Sequence, residues 1–445
     1  MLPDLFLPIG ASLPDLAPTE QAGIAYTAAR WTPGALGRAV AALGRGAEAL
    51  AEIGEAGLLA AWAETVEAFL SPRSPERRDL EPALVRLCRL SPEGLAEGLR
   101  AVLGGVRERP AAALFARARE LGRPAPEAAL PVLAILAANL PALAVQPLLP
   151  ALALGRPVFL KSPSAEPLFA PAFLAALVRR EPRLGAALAA ATWPGGDAEL
   201  EAPVLAAVET ILAYGGDEAL DDLERRAGRP ATLVRYGPKT SLAVVGREAD
   251  PAEIAPGLAR DVALFDQRGC LSIVAVYLEG TAKEARELAA RLGEELTGLA
   301  RRWPPGPPEP GAAAAVQQLR RTAVMRGFLT TPFAAPIAAG TVLVEPHPTF
   351  QISPGLRTVR VHPLRDLAGL PDLLAPWRGR LQGAAITGVA ETSELLNALT
   401  ALGVSRIAAP GDLQSPDASW HNGGIDPLAA LSRSATGSTG WPSPR

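Results

Sequence analysis

The spacing of apolar residues divides the chain into a helical first part and a longer part in which short apolar runs alternate with helices. Apolar side chains recur every three to four residues through 35–53, 58–70 and 80–103, which is the periodicity of amphipathic helices. A Ser-Pro-Glu sequence at 91–93 is typical of a helix start. The pattern therefore predicts helices over about residues 32–122, and we place an N-terminal helical region at 1–110.

The rest of the chain has the pattern of two parallel-sheet units. The first is predicted to have strands at 131–138, 157–160 and within 204–213, and helices at 140–154, 171–179 and 217–226. The second is predicted to have strands at 240–245, 273–278, 341–344 and 358–361, and helices at 281–299 and 391–402. Strand, crossover helix and strand in succession indicate an α/β fold with doubly wound parallel sheets. Ligands of such sheets bind beyond the carboxyl ends of the strands, where Asn139, Lys161 and Gly215 lie.

Three stretches fall outside this pattern. Residues 303–311, with the sequence WPPGPPEPG, are predicted to form a surface loop, and residues 437–445 are predicted to be disordered. Residues 128–155 carry no charge and are long enough for a membrane span. The four prolines in that stretch would leave carbonyls unpaired in lipid, so we predict a buried strand, a turn and a short apolar helix there instead.

Composition excludes several classes of protein. A chain of 445 residues with 49% hydrophobic and 20% charged residues is expected to form two or three globular domains. The formal net charge of −3 gives no reason to expect nucleic acid or an anionic membrane as a partner. The two cysteines and three histidines form no metal-ligand cluster, and so few cysteines favour a reducing compartment. The N-terminus has no basic residue before its apolar residues, so we expect no signal peptide and a cytoplasmic protein.

One of the two cysteines has a sequence context suited to chemistry. Cys270 follows the polar turn Asp266-Gln267-Arg268-Gly269 and precedes the apolar run 273–278. A thiol in that place is either a core residue or a nucleophile. Cys88, within a helical segment, is interpreted as a core residue. The common fingerprints GxGxxG, GxxxxGK[ST], GxSxG and HExxH do not occur in the sequence.

The scarcity of two residue types identifies further candidates. Forty of the 43 basic residues are arginine, so Lys161, Lys239 and Lys283 are exceptions. A lysine offers a compact ammonium on a flexible stem, which arginine does not. Asparagine is equally scarce, and Asn139 is one of only three. Lys161, Lys239 and Asn139 are therefore candidate functional residues.

Seven short segments occur in an order that one enzyme superfamily shares. They are Ala138-Asn139-Leu140-Pro141, Leu160-Lys161-Ser162-Pro163-Ser164, Trp193-Pro194-Gly195-Gly196-Asp197, Ala213-Tyr214-Gly215-Gly216-Asp217, Tyr236-Gly237-Pro238-Lys239-Thr240-Ser241, Asp266-Gln267-Arg268-Gly269-Cys270-Leu271-Ser272 and Trp420-His421-Asn422-Gly423-Gly424. Together they resemble the aldehyde dehydrogenase superfamily, and most closely its acyl-CoA reductase branch, typified by the fatty acyl reductase of bacterial luminescence (LuxC-like). The resemblance covers about residues 130–430. It implies a dinucleotide-binding domain over 111–237, to which 411–445 returns, and a catalytic α/β domain over 238–410.

The resemblance implies a catalytic pair. Cys270 would attack an acyl thioester, while Asn139 and the backbone amide of Cys270 would hold the oxyanion. The pKa of the thiol would have to be lowered, either by amides of the 268–272 turn or by a bound cofactor. From the residues alone, Asn139 could instead cap the helix that is predicted to begin at Pro141.

The resemblance also implies a nicotinamide cofactor. Lys161 would bind the adenosine ribose or its 2′-phosphate. Gly215 and Gly216 would let the backbone approach the pyrophosphate, although a Gly-Gly pair is also an ordinary turn. NAD-preferring relatives often place an acidic residue three positions after that lysine. Ser164 stands there in this chain, which favours NADPH over NADH.

Three further residues bear on the reaction. Lys239 is either functional or an anchor of the domain junction, and His421 is either a proton donor or substrate contact or a structural residue. Arg235 stands where oxidative aldehyde dehydrogenases carry the glutamate that activates water. Arginine cannot act as a base at pH 7, so hydrolysis of an acyl group on Cys270 is predicted to be slow.

The sequence therefore predicts an oxidoreductase that reduces an acyl-CoA, with a fatty acyl group favoured, to the aldehyde with NADPH. A CoA-acylating aldehyde dehydrogenase working in the oxidative direction would use the same residues. A non-catalytic acyl-carrying subunit of a multienzyme complex is the alternative from another class. The donor is expected to be an acyl-CoA or an acyl carrier, and the resemblance implies a homo-oligomer and a candidate partner, an acyl-transferring synthetase. No nucleic acid, membrane span or metal is expected.

Overall fold

The computed structural model describes residues 1–228, 231–332, 334–390 and 392–432. Its strands are β1 (Asp15–Gln21), β2 (Ile24–Arg30), β3 (Val132–Ile135), β4 (Val158–Ser162), β5 (Leu188–Thr192), β6 (Thr210–Tyr214), β7 (Thr232–Tyr236), β8 (Thr240–Val245), β9 (Ile273–Glu279), β10 (Thr341–Val344), β11 (Thr358–Leu364), β12 (Leu381–Thr387) and β13 (Arg406–Ala408). Its α-helices are α1 (Pro33–Ala41), α2 (Gly46–Leu70), α3 (Pro75–Leu87), α4 (Pro92–Gly104), α5 (Glu108–Leu121), α6 (Val145–Ala153), α7 (Phe169–Arg180), α8 (Ala198–Ala207), α9 (Asp217–Ala227), α10 (Pro251–Ala263), α11 (Ala282–Arg302), α12 (Pro310–Arg326), α13 (Leu370–Leu374), α14 (Thr392–Ala401) and α15 (Pro427–Ser432). The strands form one hairpin and two parallel sheets, which confirms the α/β prediction.

The N-terminal region begins with a β-hairpin, which corrects the prediction of a helical region over residues 1–110. Strands β1 and β2 are antiparallel and pair Gln21 with Ile24, so the loop between them has two residues. Both loop residues, Ala22 and Gly23, have positive φ (53° and 75°), as a type I′ turn requires. No residue of β1 is buried, so the strand lacks the apolar alternation by which it could have been predicted. Helices α1–α5 follow the hairpin.

The first parallel sheet has the strand order β5-β4-β3-β6-β7. From β3 the chain builds outward through β4 and β5 on one side, and then through β6 and β7 on the other. The topological switch point, where doubly wound sheets bind ligands, therefore lies between β3 and β6. Asn139 lies beyond the end of β3, Lys161 is the second-last residue of β4, and Gly215 directly follows β6. The three candidate residues thus share one edge of this sheet.

Helix α6 begins at Val145, which corrects the prediction of a helix from Pro141. Ala142 has φ of 62°, and a left-handed residue cannot belong to a right-handed helix. The N-cap of α6 is Ala144, so Asn139 does not cap this helix. Among the described residues, no helix is long and apolar enough to cross a membrane.

The second parallel sheet has the strand order β10-β11-β9-β8-β12-β13. Strands β8 and β10 have the bounds that the sequence predicts. The predicted capping box opens α11: the backbone N–H of Thr281 donates to Glu284 Oε2 (2.7 Å), and that of Glu284 donates to Thr281 Oγ1 (3.3 Å). Cys270 lies three residues before β9, and therefore at the amino end of an interior strand.

Two connections join the sheets. Only residues 237–239 separate β7 from β8. After β13 the chain returns to the first sheet, where Leu428 and Leu431 of α15 enter its core. The buried Arg156 donates from Nη1 to the carbonyl of Leu431 (2.8 Å), which ties α15 to that sheet. The segment 437–445, predicted to be disordered, lies outside the described residues.

Candidate active site

A left-handed turn delivers Cys270 to the start of β9. Phe265, Asp266 and Gln267 have φ of 57°, 51° and 66°, values that residues other than glycine rarely adopt. Each such residue costs about 1–2 kcal/mol, so surrounding contacts must hold the turn. Phe265 packs against α4 at Gly98, where a Cβ atom would lie 2.6 Å from the phenylalanine ring.

Hydrogen bonds from several segments fix the two residues that follow Phe265. One carboxylate oxygen of Asp266 accepts from Nε and Nη2 of Arg357 (3.1 and 2.8 Å). The other oxygen accepts from the backbone N–H of Gly306 (2.9 Å). The side chain of Gln267 donates to the carbonyl and accepts from the N–H of Thr358 (2.8 Å each). The turn is therefore held from the start of β11 and from the proline-rich loop.

Cys270 lies where two cavities meet. The wall of the apolar cavity includes Val102, Val106, Leu114, Leu140, Leu143 and Leu149. The wall of the polar cavity includes Lys239, Thr240, Gln267, Arg268, Ser353 and Arg380. Asn139, Gly269 and Cys270 belong to both walls. Cys270 therefore borders two cavities whose walls differ in their residues.

The structure brings Asn139 and Cys270 together from different sheets. Asn139 Nδ2 donates to the carbonyl of Arg268 (3.4 Å), two residues before the cysteine. The carbonyl of Cys270 accepts from Ser241 Oγ (2.8 Å), which fixes the peptide that follows the thiol. A side-chain amide and a backbone N–H beside a nucleophile are the donors from which oxyanion holes are built.

Burial raises the pKa of the Cys270 thiol to about 11. The backbone N–H groups of Cys270 and Leu271 and the ammonium of Lys239 lower it, but they do not offset burial. The amides of the turn alone therefore do not bring the pKa below its ordinary value, and a bound cofactor stays the other predicted cause of a lowered pKa. Burial also lowers the pKa of Lys239, whose Nζ donates to the carbonyl of Gly379 (2.8 Å). The thiol is therefore protonated at neutral pH.

Arg235 is turned away from the thiol. Its guanidinium pairs with Asp221 and Glu224 of α9, and it belongs to neither cavity wall. In the described walls of the two cavities Asp417 is the one carboxylate, and it accepts from the backbone N–H and Oγ of Ser419 (2.9 and 2.6 Å). The cavities thus place no carboxylate in the position of a water-activating base.

Lys161 is buried next to Trp193 at the carboxyl end of β4. Its Nζ lies 5.3 Å from the Trp193 ring centroid and faces Gly195, where a Cβ atom would be 3.7 Å away. Within the described part of the chain, no acceptor hydrogen-bonds this ammonium, and the nearby Glu201 accepts instead from Trp193 Nε1 (2.9 Å). Burial lowers the pKa of Lys161, so a bound anion would stabilise its charged form. Ser164 is exposed three residues further on.

Gly215 and Gly216 form the turn between β6 and α9. Gly216 is the N-cap of α9, and a Cβ atom there would meet no other atom within 4 Å. Asp217, the first residue of the helix, accepts from Arg380 Nη1 (2.7 Å). Because Arg380 also lines the polar cavity, the glycine turn adjoins that cavity.

His421 is not brought to the thiol. It belongs to neither cavity wall, and its Nε2 lies 3.3 Å from Nη1 of Arg117, which also pairs with Asp426. Asn422, the next residue, does line the apolar cavity. Cys88 is 4% exposed, and burial raises the pKa of its thiol well above the ordinary value, in agreement with a core residue.

An aromatic pair beside Cys270 was not predicted from the sequence. Tyr214 and Tyr236 end the neighbouring strands β6 and β7, and their rings stack at 4.4 Å with an interplanar angle of 13°. Both rings line the apolar cavity with Cys270. Each tyrosine precedes a glycine at the end of a strand, and this repeated Tyr-Gly pattern was the available signal.

Labelling of Cys270 by iodoacetamide should rise about tenfold per pH unit between pH 7 and 10, because the thiolate reacts and its fraction rises in that way below a pKa of about 11. Replacing Lys239→Gln should slow labelling most near pH 7, where Lys239 carries its charge, since the ammonium favours the thiolate. Mass spectrometry of the Cys270 peptide measures the rate, and Lys283→Gln is the matched control on the exposed end of α11. A labelling rate that is constant from pH 7 would contradict the prediction.

Comparison with known proteins identifies similar sequences. The curated long-chain acyl-protein thioester reductase of Aliivibrio fischeri is 24% identical over 280 residues, which cover 62% of this chain and 57% of the relative. That of Photorhabdus laumondii is 27% identical over 158 residues, which cover 35% of this chain and 33% of the relative. The chain thus matches between a third and somewhat over half of the length of these relatives.

Solved structures with a similar fold are aldehyde dehydrogenases and an oxidoreductase. An oxidoreductase from Marinobacter aquaeolei has a TM-score of 0.72 at 15% identity, covering 95% of this chain and 93% of that chain. Aldehyde dehydrogenase 21 from Physcomitrella patens has a TM-score of 0.71 at 14% identity, covering 96% and 95%. These likenesses confirm the aldehyde-dehydrogenase-like fold.

The match to a family model extends further along the chain than the match to either of these relatives. The model described as acyl-CoA reductase (LuxC) matches residues 124–434. This range includes both sheets and every candidate site residue. Because it spans well over half of the chain, the protein belongs to the acyl-CoA reductase (LuxC) family.

Proposed function

We propose that the protein reduces an acyl thioester to the aldehyde with NADPH, through an acyl group carried on Cys270. The observation that carries the proposal is the position of this thiol, beside Asn139, at the junction of an apolar and a polar cavity. Membership in the family supports the same reaction, and the matched relatives are named as long-chain acyl-protein thioester reductases.

The first step transfers the acyl group to the protein. The apolar cavity suits an acyl chain, since each methylene group removed from water contributes about 0.8 kcal/mol. Cys270 Sγ, as the thiolate, attacks the thioester carbon, the bond from that carbon to the donor sulfur breaks, and the donor leaves as a thiol after taking a proton. Asn139 Nδ2 and the N–H of Cys270 donate to the carbonyl oxygen while it bears the negative charge. The ammonium of Lys239 stabilises the thiolate before the attack.

The second step reduces the acyl group rather than hydrolysing it. Bound at the polar cavity, a nicotinamide would supply the hydride for the acyl carbon. The carbon–sulfur bond to Cys270 then breaks, the aldehyde leaves, and the sulfur takes a proton to become a thiol again. Hydrolysis is disfavoured because Arg235 points away and the one wall carboxylate, Asp417, is held by Ser419. The overall reaction consumes one thioester, one NADPH and one proton.

The carboxyl edge of the first sheet has the features that a dinucleotide needs. Lys161 presents a buried ammonium that would bind the adenosine ribose or its 2′-phosphate. Gly215 and Gly216 leave the backbone open to a pyrophosphate beside the polar cavity. Ser164 brings no negative charge against a 2′-phosphate, which favours NADPH over NADH. A structural neighbour, the NADP-dependent glyceraldehyde-3-phosphate dehydrogenase of Bacillus halodurans C-125, was solved with NADP (TM-score 0.66, 16% identity, 89% of this chain and 87% of that chain).

The acyl donor is proposed to be an acyl-CoA or an acyl group on a protein. Both donors present the same thioester to Cys270, and the description of the family and the names of the relatives differ on this point. An acyl-transferring synthetase as partner and a homo-oligomeric state belong to the same proposal. The boundaries of the dinucleotide-binding domain (111–237) and of the catalytic domain (238–410) are proposed on the positions of the two sheets.

Incubation with acyl-CoAs of rising chain length, without nicotinamide, should add one acyl group to the protein. Intact-protein mass spectrometry should detect the adduct on the wild type and on Cys88→Ala, but not on Cys270→Ala. Addition of NADPH should then discharge the adduct as aldehyde. An adduct that persists in Cys270→Ala, or that is released only as the fatty acid, would count against the proposal. Labelling by an acylated carrier protein but by no acyl-CoA would assign the donor to a protein.

Asn139→Ala should lower the saturated rate of acylation about 10²–10³-fold, because one donor to the oxyanion is lost. The donor concentration at half-saturation should change little, since the chain binds in the apolar cavity. Stopped-flow measurement of CoA release gives both values, and Asn397→Ala on the exposed face of α14 is the matched control. An unchanged rate in Asn139→Ala would remove this residue from the proposed oxyanion hole.

Ser164→Glu should raise the ratio of kcat/KM for NADH to that for NADPH by about tenfold or more. A carboxylate there would repel a 2′-phosphate and accept a hydrogen bond from a 2′-hydroxyl. Steady-state kinetics with both cofactors measures the ratio, and Ser164→Gln separates the effect of charge from that of size. An equal change in the glutamine variant would argue against an electrostatic origin.

A further inference from the structure

The proline-rich loop reaches the turn that carries Cys270. The backbone N–H of Gly306 donates to one carboxylate oxygen of Asp266 (2.9 Å). The carbonyl of Trp303 accepts from Arg357 Nη2 (3.0 Å), and the same guanidinium binds the other oxygen of Asp266. The side chains of Asp266 and Arg357 are only 9% and 2% exposed. The sequence predicts only that this segment is a surface loop.

Arg89, between α3 and α4, holds the loop from the N-terminal helices. Its Nε and Nη2 donate to the carbonyl of Pro307 (3.3 and 3.0 Å), and Nη2 also donates to that of Pro308 (3.0 Å). Its Nη1 pairs with Glu309 (3.0 Å). A Cβ atom on Gly306 would lie 1.9 Å from the carbonyl oxygen of Arg89, so only glycine allows the two segments to meet.

We propose that Asp266 is a positioning residue for Cys270, and that Gly306 and Arg89 lock it in place from the N-terminal helices. The catalytic meaning of this inference rests on the proposed function, which takes Cys270 as the nucleophile. The carbonyl to which Asn139 donates belongs to Arg268, two residues after Asp266 and two before the thiol. A shift of the turn therefore displaces the thiol and the group that orients the oxyanion donor together.

A carboxylate is required at position 266 because the two oxygens accept from three N–H groups. An asparagine there has one acceptor oxygen, and its NH₂ group would face the N–H of Gly306 or the guanidinium of Arg357. Asp266→Asn therefore removes part of the lock at constant size. Gly306→Ala should break the hydrogen bond from the Gly306 N–H to Asp266, because the added methyl group would clash with the Arg89 carbonyl and force the loop away from it.

Two assays on the full chain test the inference. With an acyl-CoA that labels the wild type, Asp266→Asn and Gly306→Ala should lower the saturated acylation rate about 10- to 100-fold, with a smaller change in half-saturation. With iodoacetamide alone, both variants should move the pH profile of Cys270 labelling to higher pH, because the thiolate loses its alignment with the backbone N–H groups. Asp266→Glu, which keeps the charge, should recover part of the rate.

A buried arginine away from the turn supplies the matched control for Arg357→Lys. Arg156, at the amino edge of the first sheet, donates to the carbonyls of Leu431 and Leu130 (2.8 and 2.9 Å), and its side chain is as buried as that of Arg357. Arg156→Lys should lower stability without moving the labelling profile, whereas Arg357→Lys should move it. If Asp266→Asn does not fold, Gly306→Ala and Arg89→Gln test the same lock, since the Arg89 side chain is 38% exposed.

Three results would overturn the inference. They are an unchanged labelling profile in Asp266→Asn or Gly306→Ala, an equal effect of Arg156→Lys, and equal acylation rates in all variants. A wild type that accepts no acyl group would contradict the proposed function. The labelling test of the turn would still hold, because iodoacetamide reacts with Cys270 without an acyl donor.

Discussion

The contact between the carboxyl edge of the first sheet and the amino edge of the second is the constraint on which the site depends. Parallel strands bring equivalent ends to one edge, so residues after β3, β4 and β6 share a surface. Cys270 precedes β9 and therefore enters this surface from the other sheet. The hydrogen bond from Asn139 to the Arg268 carbonyl joins the two edges. Neither sheet alone would hold both the thiol and its neighbouring amide.

The same contact determines the chemistry of the thiol. An environment with little water makes ionisation costly, which raises the pKa of Cys270, but it also strengthens the effect of each remaining dipole and charge. The Lys239 ammonium and the backbone N–H groups therefore act on the sulfur with little screening. Burial therefore keeps the thiol protonated at rest while leaving it sensitive to the charges and dipoles around it.

Local sequence signals predicted much of the fold. Strands β8 and β10 are short apolar runs between polar or glycine residues, and α11 opens with a capping box, so each is specified by adjacent residues. The hairpin β1–β2 was missed because its exposed strands lack an apolar face. The predicted helix began several residues before α6 does, because nothing in the sequence indicates that Ala142 has a positive φ.

The structure brings the predicted residues Cys270 and Asn139 together, but the contacts that hold their turn could not be predicted from the sequence. Cys270 and Asn139 could be chosen from their rarity and their place after or before a strand. The left-handed conformation of Phe265, Asp266 and Gln267 could not, because no glycine signals it. The groups that hold Asp266 lie 40 and 91 residues further along the chain. Only the fold brings them together, and only the fold gives the burial that raises the pKa of the thiol.

The position of Cys270 between two cavities bears on the order of events in the proposed reaction. The two cavities meet at this residue and are lined by different side chains. If the acyl donor and the dinucleotide each enter through their own cavity, the order of binding and release is set by the relative affinities of the two compartments rather than by steric exclusion.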